Sequence, residues 1–176
     1  FEFAGNRFNS IDILVNCAGV MYQRKLEEIC QDEWDEVLNV NLRGTFFCCQ
    51  AAVPVMKAQR KGKILNMASI AGKVGGLSSG AHYAVSKAGV ICLTKILARE
   101  MAPFGVRVNA LAPGPVDTPM LKTFSPEIRE GFSKDCPLGR LADVDDIAEA
   151  AIFLLSDHAK HITGEILDIN GGLLMD

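Results

Sequence analysis

The sequence predicts an α/β fold in which a parallel sheet carries helices on both faces. Short β-branched runs alternate along the chain with longer helical patterns, and the intervals between runs are far too long for hairpins. Strands joined by such crossovers run parallel, and ligands bind at their carboxyl ends. The predicted strands cover residues 11–15, 63–67, 106–111 and 165–169.

Three helical patterns separate or follow these strands. The first covers residues 32–59, and polar residues with a glycine at 41–44 predict an interruption. The second covers residues 83–101, where apolar residues recur at steps of three and four before Pro103 and Gly105 end the helix. The third begins at Asp143, a predicted N-cap. Acidic residues follow it, and the positive end of a helix stabilises such residues in its first turn.

Composition predicts one globular domain over residues 1–176. Of its residues 49% are apolar and 22% are charged, which is enough to bury a core without a metal or disulfide. A net charge of −3 with scattered basic residues argues against nucleic-acid binding, and no apolar run predicts a membrane span. The six cysteines lack zinc-ligand spacing, so we expect no metal, free and mostly buried thiols, and a cytoplasmic location.

Tyr83 and Lys87 are the first candidates for chemistry. They are four residues apart at a helix start, so both side chains project from one face. A phenol with a pKa of about 10 transfers its proton poorly at neutral pH unless a cation stabilises its anion. Lys87 can supply that cation, and Ser69, at a strand end, offers a second hydroxyl to a substrate oxygen. Such a pair is more often an ordinary surface pair, so the neighbouring motifs decide its meaning.

The order of these motifs resembles the classical short-chain dehydrogenase/reductase family. The resemblance implies a Rossmann-like fold, an NAD or NADP cofactor, and hydride transfer between that cofactor and a carbonyl or alcohol. The segments that carry it are IDILVNCAG at 11–19, VNLRGTFF at 40–47, YAVSKAGV at 83–90, VRVNALAPGPVDTPM at 106–120 and ITGEILDINGG at 162–172.

The same resemblance assigns roles to single residues. Tyr83 is implied as the general acid, Ser69 as the ligand of the reacting oxygen, Lys87 as the holder of the nicotinamide ribose, and Asn41 as support for a proton-relaying water. Tyr83 and Lys87 are also implied to bind the cofactor. Further cofactor contacts are implied for Asn16, Ala18 and Gly19 on the adenosine side and for Pro113, Gly114, Val116 and Thr118 at the nicotinamide. One departure is Cys17, which stands where the family has asparagine.

The family opens with a strand, a glycine-rich turn and a helix that cradle the pyrophosphate, and the chain shows no such fingerprint. We therefore expect it to begin at the fourth strand of the fold and to lack the first βαβ half. The residue that selects NAD or NADP belongs to that half, so the choice is unreadable, and the resemblance slightly favours NADP. We also expect the strand at 11–15 to form an open edge.

The segment at 119–141 corresponds by resemblance to the lid over the substrate. Its apolar residues favour an acyl substrate, and the nearest pattern is that of the β-ketoacyl-acyl-carrier-protein reductases of fatty acid biosynthesis. Sugar and cyclic alcohol dehydrogenases are the alternative. Ser125 and Pro126 predict the start of a short helix within this lid.

One further alternative stays open, and a second is disfavoured. The fold could serve as a non-catalytic binding module, since by resemblance the helices at 32–59 and 83–101 form a homodimer or homotetramer interface that would cover Phe46 and Phe47. A hydrolase is favoured by G-x-S-x-G at 76–80, but Ser78 lies too far beyond its strand for a nucleophile elbow.

Two aromatic residues near these motifs are expected to be structural. His82 adjoins Tyr83 but should face elsewhere, because adjacent residues of a helix do not share a face. Trp34 is expected in the core.

Overall fold

The computed structural model describes residues 7–76 and 78–175, and within them four parallel strands form one sheet in the order β1-β2-β3-β4. The strands are β1 (Ile13–Asn16), β2 (Gly62–Met67), β3 (Val106–Pro113) and β4 (Ile166–Ile169). The predicted parallel sheet is confirmed. In the described part of the chain β1 is an edge strand.

The first strand begins two residues later than predicted because a side chain takes its place. The Gln59 amide accepts from the Ile11 N–H at 2.8 Å and donates to the Ile11 carbonyl oxygen at 3.0 Å. Both backbone groups of Ile11 are therefore engaged outside the sheet, and strand pairing with β2 starts only at Ile13.

Six α-helices lie wholly within the described residues, with 3-10 turns at Leu26–Glu28, Ala102–Phe104, Leu121–Thr123 and Asp157–Ala159. The break predicted at 41–44 is not found. Asn39–Gly44 is instead a π-helical segment, whose backbone hydrogen bonds span five residues instead of four, and it joins the two helices around it without interruption. The α-helices are α1 (Gln31–Leu38), α2 (Thr45–Gln59), α3 (Ala71–Val74), α4 (Ala81–Met101), α5 (Pro126–Asp135) and α6 (Val144–Leu155).

The core lies on both faces of the sheet, as the α/β prediction requires. Neighbouring residues of a strand point to opposite faces, so Ile64 packs with Met56 of α2 and Met101 of α4. Leu65 packs on the other face with Leu154 of α6. Burying each large apolar side chain of this kind contributes about 1.5–3 kcal/mol to folding.

The helix caps follow the sequence closely. Asp143 caps α6 by accepting hydrogen bonds from the N–H groups of Asp145 and Asp146, and Ser125 caps α5. The other end of α6 is held by the Arg107 guanidinium, which donates to the carbonyl oxygens of Leu154 and Ser156 at 2.8 and 2.9 Å. Helix α6 is therefore fixed directly to β3.

Two expectations about burial are wrong. Trp34 is 39% exposed, because α1 contributes only Val37 to the buried core and Trp34 lies beside that contact. All six thiols are free as expected, but only Cys49 and Cys136 are buried; Cys17, Cys30 and Cys92 are exposed. Within residues 7–76 and 78–175 no helix is both long enough and apolar enough to cross a bilayer.

Candidate active site

Ser69, Tyr83 and Lys87 meet at the carboxyl edge of the sheet. Ser69 lies just beyond β2, and the other two occupy the first turns of α4, which begins after an extended Gly80. All three are buried, with 8%, 9% and 3% of their surface exposed. The Ser69 and Tyr83 hydroxyls are hydrogen-bonded, and the Lys87 ammonium lies 5.7 Å from the centre of the Tyr83 ring.

Backbone hydrogen bonds to β3 hold Ser69 in place. The N–H groups on either side of it, those of Ala68 and Ile70, donate to the carbonyl oxygens of Leu111 and Pro113 at 2.8 and 2.9 Å. The Ser69 Oγ also accepts from the Ala71 N–H at 3.1 Å. Strand pairing thus continues past the end of β2 and fixes the hydroxyl against the sheet edge.

Lys87 is a buried cation. Its Nζ donates to the Met67 carbonyl oxygen at 2.7 Å, at the last residue of β2. Burial lowers the pKa of Lys87 from 10.5 to about 8, and the nearby Cys17 acts in the opposite direction. At neutral pH the ammonium form still predominates, so the site keeps a positive charge beside Tyr83.

The pKa of Tyr83 moves upward, not downward as the sequence suggests. Burial raises it, because a phenolate is poorly solvated there, and the hydrogen bond with Ser69 acts against that rise. Lys87 does not reach the phenol oxygen in this structure, since its ammonium is bound to the Met67 carbonyl. Tyr83 is therefore held as a neutral acid at physiological pH.

Asn41, the fourth residue implied by the resemblance, is braced inside the protein. Its Oδ1 accepts from the Val20 N–H at 2.8 Å, and its Nδ2 donates to the Val20 carbonyl and to the Ser86 Oγ at 2.9 and 3.0 Å. Ser86 in turn donates to the Tyr83 carbonyl oxygen at 2.7 Å. The side chain therefore links the loop after β1 to α4.

Asn16 is the last residue of β1, and Ala18 and Gly19 follow it. The Asn16 amide donates to Asn66 Oδ1 at 2.8 Å, so it is engaged within the sheet. A Cβ at Gly19 would lie 3.3 Å from Asn41 Oδ1 and 3.5 Å from Lys87 Nζ, which means that the backbone itself passes close to the buried ammonium. Their cofactor contacts stay a prediction.

The segment after β3 carries the other predicted cofactor residues. Pro113 ends the strand, and the Gly114 N–H donates to the Ile169 carbonyl at 2.9 Å; a Cβ at Gly114 would lie 3.0 Å from Asn170 Cα, so a larger residue would press on that backbone. Val116 forms an isolated parallel bridge with Ala142, and the Thr118 hydroxyl donates to the Val116 carbonyl at 3.3 Å. These residues share one loop at the same sheet edge, and their cofactor role also stays a prediction.

Sequence reasoning missed Ser86 and two polar residues beneath the site. Ser86 lies three residues after Tyr83, the spacing that places it on the same helix face, and that spacing could have identified it. Asn66 and Thr94 are buried and hydrogen-bonded to each other at 2.9 Å. Nothing in the sequence pairs them, because their contact depends on the packing of α4 on β2.

The structure does not support the hydrolase alternative. Ser78 lies in the bend between α3 and α4 and so does not follow a strand directly, as a nucleophile elbow requires. The remainder of that motif includes Leu77, which lies outside the described residues. Among the residues that are described, no three His, Cys, Asp or Glu side chains gather in a metal-binding group.

Comparison with known sequences gives a family match over nearly the whole chain. The family model described as enoyl-(acyl carrier protein) reductase matches residues 1–174. The 3-oxoacyl-[acyl-carrier-protein] reductase FabG of Staphylococcus aureus is 44% identical over 170 residues, which cover 97% of this chain and 69% of that protein. The protein of the same name from Thermotoga maritima is 41% identical over 169 residues, covering 96% and 68%.

Solved structures agree with these sequence matches. A 3-oxoacyl-[acyl-carrier protein] reductase from Brucella melitensis is 38% identical with a TM-score of 0.90, covering 94% of this chain and 64% of that one. The crystal structure of gox2181 is 33% identical with a TM-score of 0.94, covering 98% and 68%. This chain thus spans about two thirds of the length of these relatives. It belongs to the short-chain dehydrogenase/reductase family, whose members are NAD(P)-dependent oxidoreductases.

Proposed function

We propose that the protein reduces 3-oxoacyl thioesters with an NAD(P) cofactor, using Ser69, Tyr83 and Lys87. The observation that carries this proposal is the meeting of two hydroxyls and one ammonium, all buried, at the carboxyl edge of a parallel sheet. Relatives named 3-oxoacyl-[acyl-carrier-protein] reductases support the thioester substrate. Because the chain spans about two thirds of their length, the activity is proposed for the whole protein.

The residues at this edge suit the nicotinamide half of such a cofactor. Within the described residues the Lys87 ammonium uses one of its three donors on Met67, which leaves donors for ribose hydroxyls. Gly19 allows close backbone approach beside that ammonium. The cofactor, when bound, supplies the hydride. The residues proposed to hold it are Asn16, Ala18, Gly19, Tyr83, Lys87, Pro113, Gly114, Val116 and Thr118.

The chain's own contribution is to the substrate oxygen, where negative charge develops during reduction. Ser69 donates a hydrogen bond to that oxygen, and a fixed donor of this kind contributes about 10²–10³ in rate. Tyr83 releases its phenolic proton to the same oxygen, a general-acid contribution of about 10²–10⁴. Lys87 keeps a positive charge beside the ring and so stabilises the phenolate that remains.

Asn41 acts in this proposal chiefly as a positioning residue. Its amide joins Val20 to Ser86, and Ser86 holds the Tyr83 carbonyl. Support of a proton-relaying water by Asn41 stays a prediction from the resemblance. The alternative substrates, sugars and cyclic alcohols, are not favoured by the relatives found.

Three finer points belong to the same proposal. NADP is favoured over NAD by the resemblance alone, and a Brucella melitensis relative, 38% identical, has a structure with bound NAD. A homodimer or homotetramer is supported by the exposed apolar side chains of Phe46 and Phe47 on α2 and Ile96 on α4. A cytoplasmic location is supported by six thiols that are all unpaired.

The test uses the full-length protein with a panel of 3-oxoacyl thioesters, polyols and cyclic ketones, each with NADPH and NADH. We expect turnover of the thioesters with NADPH and its loss in Tyr83→Phe. Turnover confined to polyols or cyclic ketones would contradict the substrate, and a folded, dimeric protein without cofactor-dependent turnover would favour the binding-module alternative.

A further inference from the structure

The residue before Tyr83 lies in a cluster of its own. His82 is completely buried, and its Nε2 lies 3.2 Å from Glu33 Oε1. The other oxygen of that carboxylate, Oε2, pairs with Arg24 Nε at 3.2 Å. The Tyr22 ring stacks on the imidazole, with centres 6.2 Å apart and planes inclined by 22°. His82 thus faces away from Ser69, as expected, and toward α1 and the loop after β1.

The imidazole also fixes Gly80, the residue from which α4 begins. A Cβ at Gly80 would lie 2.4 Å from His82 Cε1 and 2.7 Å from Nδ1, so only glycine fits against the ring. The Gly80 N–H donates to the Tyr22 carbonyl at 2.9 Å. Gly80 is therefore held on one side by the ring of His82 and on the other by the backbone of Tyr22.

Gly80 in turn sets the first turn of α4. Its carbonyl oxygen accepts from the N–H of Tyr83 at 3.1 Å and from the N–H of Ala84 at 3.3 Å. No side chain caps this helix start. A movement of His82 would therefore pass through Gly80 to the backbone that carries Tyr83.

We infer that His82 is a positioning residue, which together with Glu33 and Gly80 holds the phenol of Tyr83 beside Ser69, where it can pass its proton to the substrate oxygen that Ser69 binds. The inference rests on the proposed function, because it assigns His82 a role through the general acid. It predicts that the Glu33 contact matters for kcat more than for binding, since neither His82 nor Glu33 touches Ser69 or Lys87 in the contacts of the described residues. Misplacement of a catalytic group by about 1 Å can cost about 10² in rate.

The hydrogen-bonding pattern fixes the tautomer as well. Nδ1 of His82 is buried without a partner among the described residues. If Nε2 carries the proton, it donates to Glu33, and Nδ1 is left as an unused acceptor. The other tautomer would bury an N–H without an acceptor and would set a lone pair against a carboxylate. The arrangement therefore requires the Nε2–H form.

The kinetic test compares His82→Gln with His82→Met in the full-length protein. Glutamine keeps an N–H donor at nearly the place of Nε2, whereas methionine has a similar length and no donor. We expect His82→Met to lower kcat for a 3-oxoacyl thioester at least tenfold with KM values within twofold, and His82→Gln to recover most of that loss. Equal losses in both variants, an unchanged kcat, or a loss that appears in KM would each overturn the inference.

Glu33→Ala is the second variant, because its side chain is 13% exposed and its truncation is better tolerated than a change at the buried ring. We expect a similar fall in kcat, and little additional loss when Glu33→Ala is combined with His82→Met. Additive losses would contradict the inference. His158→Gln, which changes an exposed imidazole, is the matched control and should leave kcat unchanged.

A readout without turnover separates this inference from the proposed function. The chain has three histidines, so ¹⁵N–¹H spectra of the rings are simple, and the His82 signals are those lost in His82→Gln. We expect the Nε2–H tautomer, with its proton signal shifted or lost in Glu33→Ala. A dominant Nδ1–H form would overturn the inference even in an active enzyme, whereas an inactive wild type with the Nε2–H form would contradict the proposed function.

Discussion

The motif cluster around α4 and the loop at 114–142 lie at the same sheet edge but are built differently. In the cluster, hydrogen bonds join segments distant in sequence: Asn41 to Val20 and Ser86, and Lys87 to Met67. The loop is also joined to a distant segment, by backbone hydrogen bonds from Gly114 to Ile169 and from Leu138 to Gly171, but its helix α5 contributes no buried side chain. An exposed hydrogen bond, from Gln23 Nε2 to Thr123 Oγ1 at 3.2 Å, links it to the loop after β1.

The two regions have different tasks: the cluster must hold the reacting groups in place, and the loop must admit the substrate. Proton transfer requires groups held to within fractions of an ångström, which buried cross-links between distant segments provide. A surface that admits an acyl chain benefits from segments with low local stability. We therefore expect changes in the cluster to act on kcat and changes in the loop to act on KM.

The largest effect is expected for Tyr83→Phe. Loss of the phenolic proton should lower kcat by about 10³ or more, while the free energy of unfolding changes little because the ring still packs. Steady-state kinetics and denaturant unfolding check both parts. Tyr22→Phe removes the chain's other phenol, which is bound to Glu36 at 2.8 Å, and should be nearly neutral. Comparable losses in both variants would show that a tyrosine hydroxyl acts on the fold and not on the reaction.

Ser69→Ala should lower kcat by about 10², the usual loss for one fixed donor to a developing oxyanion. KM should change little, since the hydrogen bond strengthens as charge develops on the substrate oxygen. Ser10→Ala, which removes a hydroxyl bound to Asp12 near the surface, serves as control. A rise in KM with kcat unchanged would assign Ser69 to ground-state binding, contrary to the proposal.

Lys87→Met should inactivate the enzyme and yet stabilise the fold at neutral pH. The folded-state pKa of about 8 lies below the ordinary 10.5, so the folded protein releases this proton first. The cost of burying the charge is fully present below pH 8 and is relieved as the pH rises from 8 toward 10.5, where the unfolded chain binds more protons. We expect a gain on the order of 1 kcal/mol in unfolding free energy at pH 7.

Denaturant unfolding at pH 7 and pH 9 checks this prediction. The wild type should gain stability over that interval, apart from the contributions of other groups, and Lys87→Met should lose that part of the gain. Lys95→Met, an exposed lysine of the same helix, provides the baseline. If Lys87→Met is less stable than wild type at pH 7, the buried ammonium stabilises the fold, contrary to this prediction.

The smallest effect is expected for Gln23→Ala. An exposed neutral hydrogen bond contributes about 0.5–1.5 kcal/mol, so KM for the thioester should change by about two- to tenfold with kcat unchanged. Thr123→Val removes the same bond and also the bond from Thr123 to the Met120 carbonyl at 2.8 Å, so its effect on KM should be at least as large, and adding Gln23→Ala to it should change KM no further. Gln50→Ala, at an exposed position of α2, is the control. A fall in kcat would show that the loop at 114–142 also acts on the chemical step, contrary to the expectation that it acts on KM alone.

Sequence reasoning predicted most of the fold because periodicity and caps are local. The strand around Val106 and the helix that begins after Asp143 follow directly from residue types. The start of β1 was misjudged because it depends on Gln59, which is distant in sequence. The exposure of Trp34 likewise depends on how α1 packs and not on its own pattern.

The site was predictable where a motif holds its members within one helix or strand end. Ser69, Tyr83 and Lys87 do come together. The upward direction of the Tyr83 pKa was not predictable. It depends on the burial of the phenol, and the Lys87 ammonium donates to the Met67 carbonyl and not to the phenol. The His82–Glu33 contact was equally hidden, since the two residues lie on different helices.

Polar side chains below the site, the half-buried Asn16 and the buried Asn66 and Thr94, align the strand ends. Asn16 pairs in register with Asn66, and the hydrogen bonds run from Asn16 through Asn66 to Thr94. A slip of β1 by one residue would set Val15 opposite Asn66 and would leave amide groups without partners, at about 1–3 kcal/mol each. The same slip would also turn every side chain of β1 to the other face of the sheet, so these polar pairs add to the penalty against a shifted register at the edge on which the reaction depends.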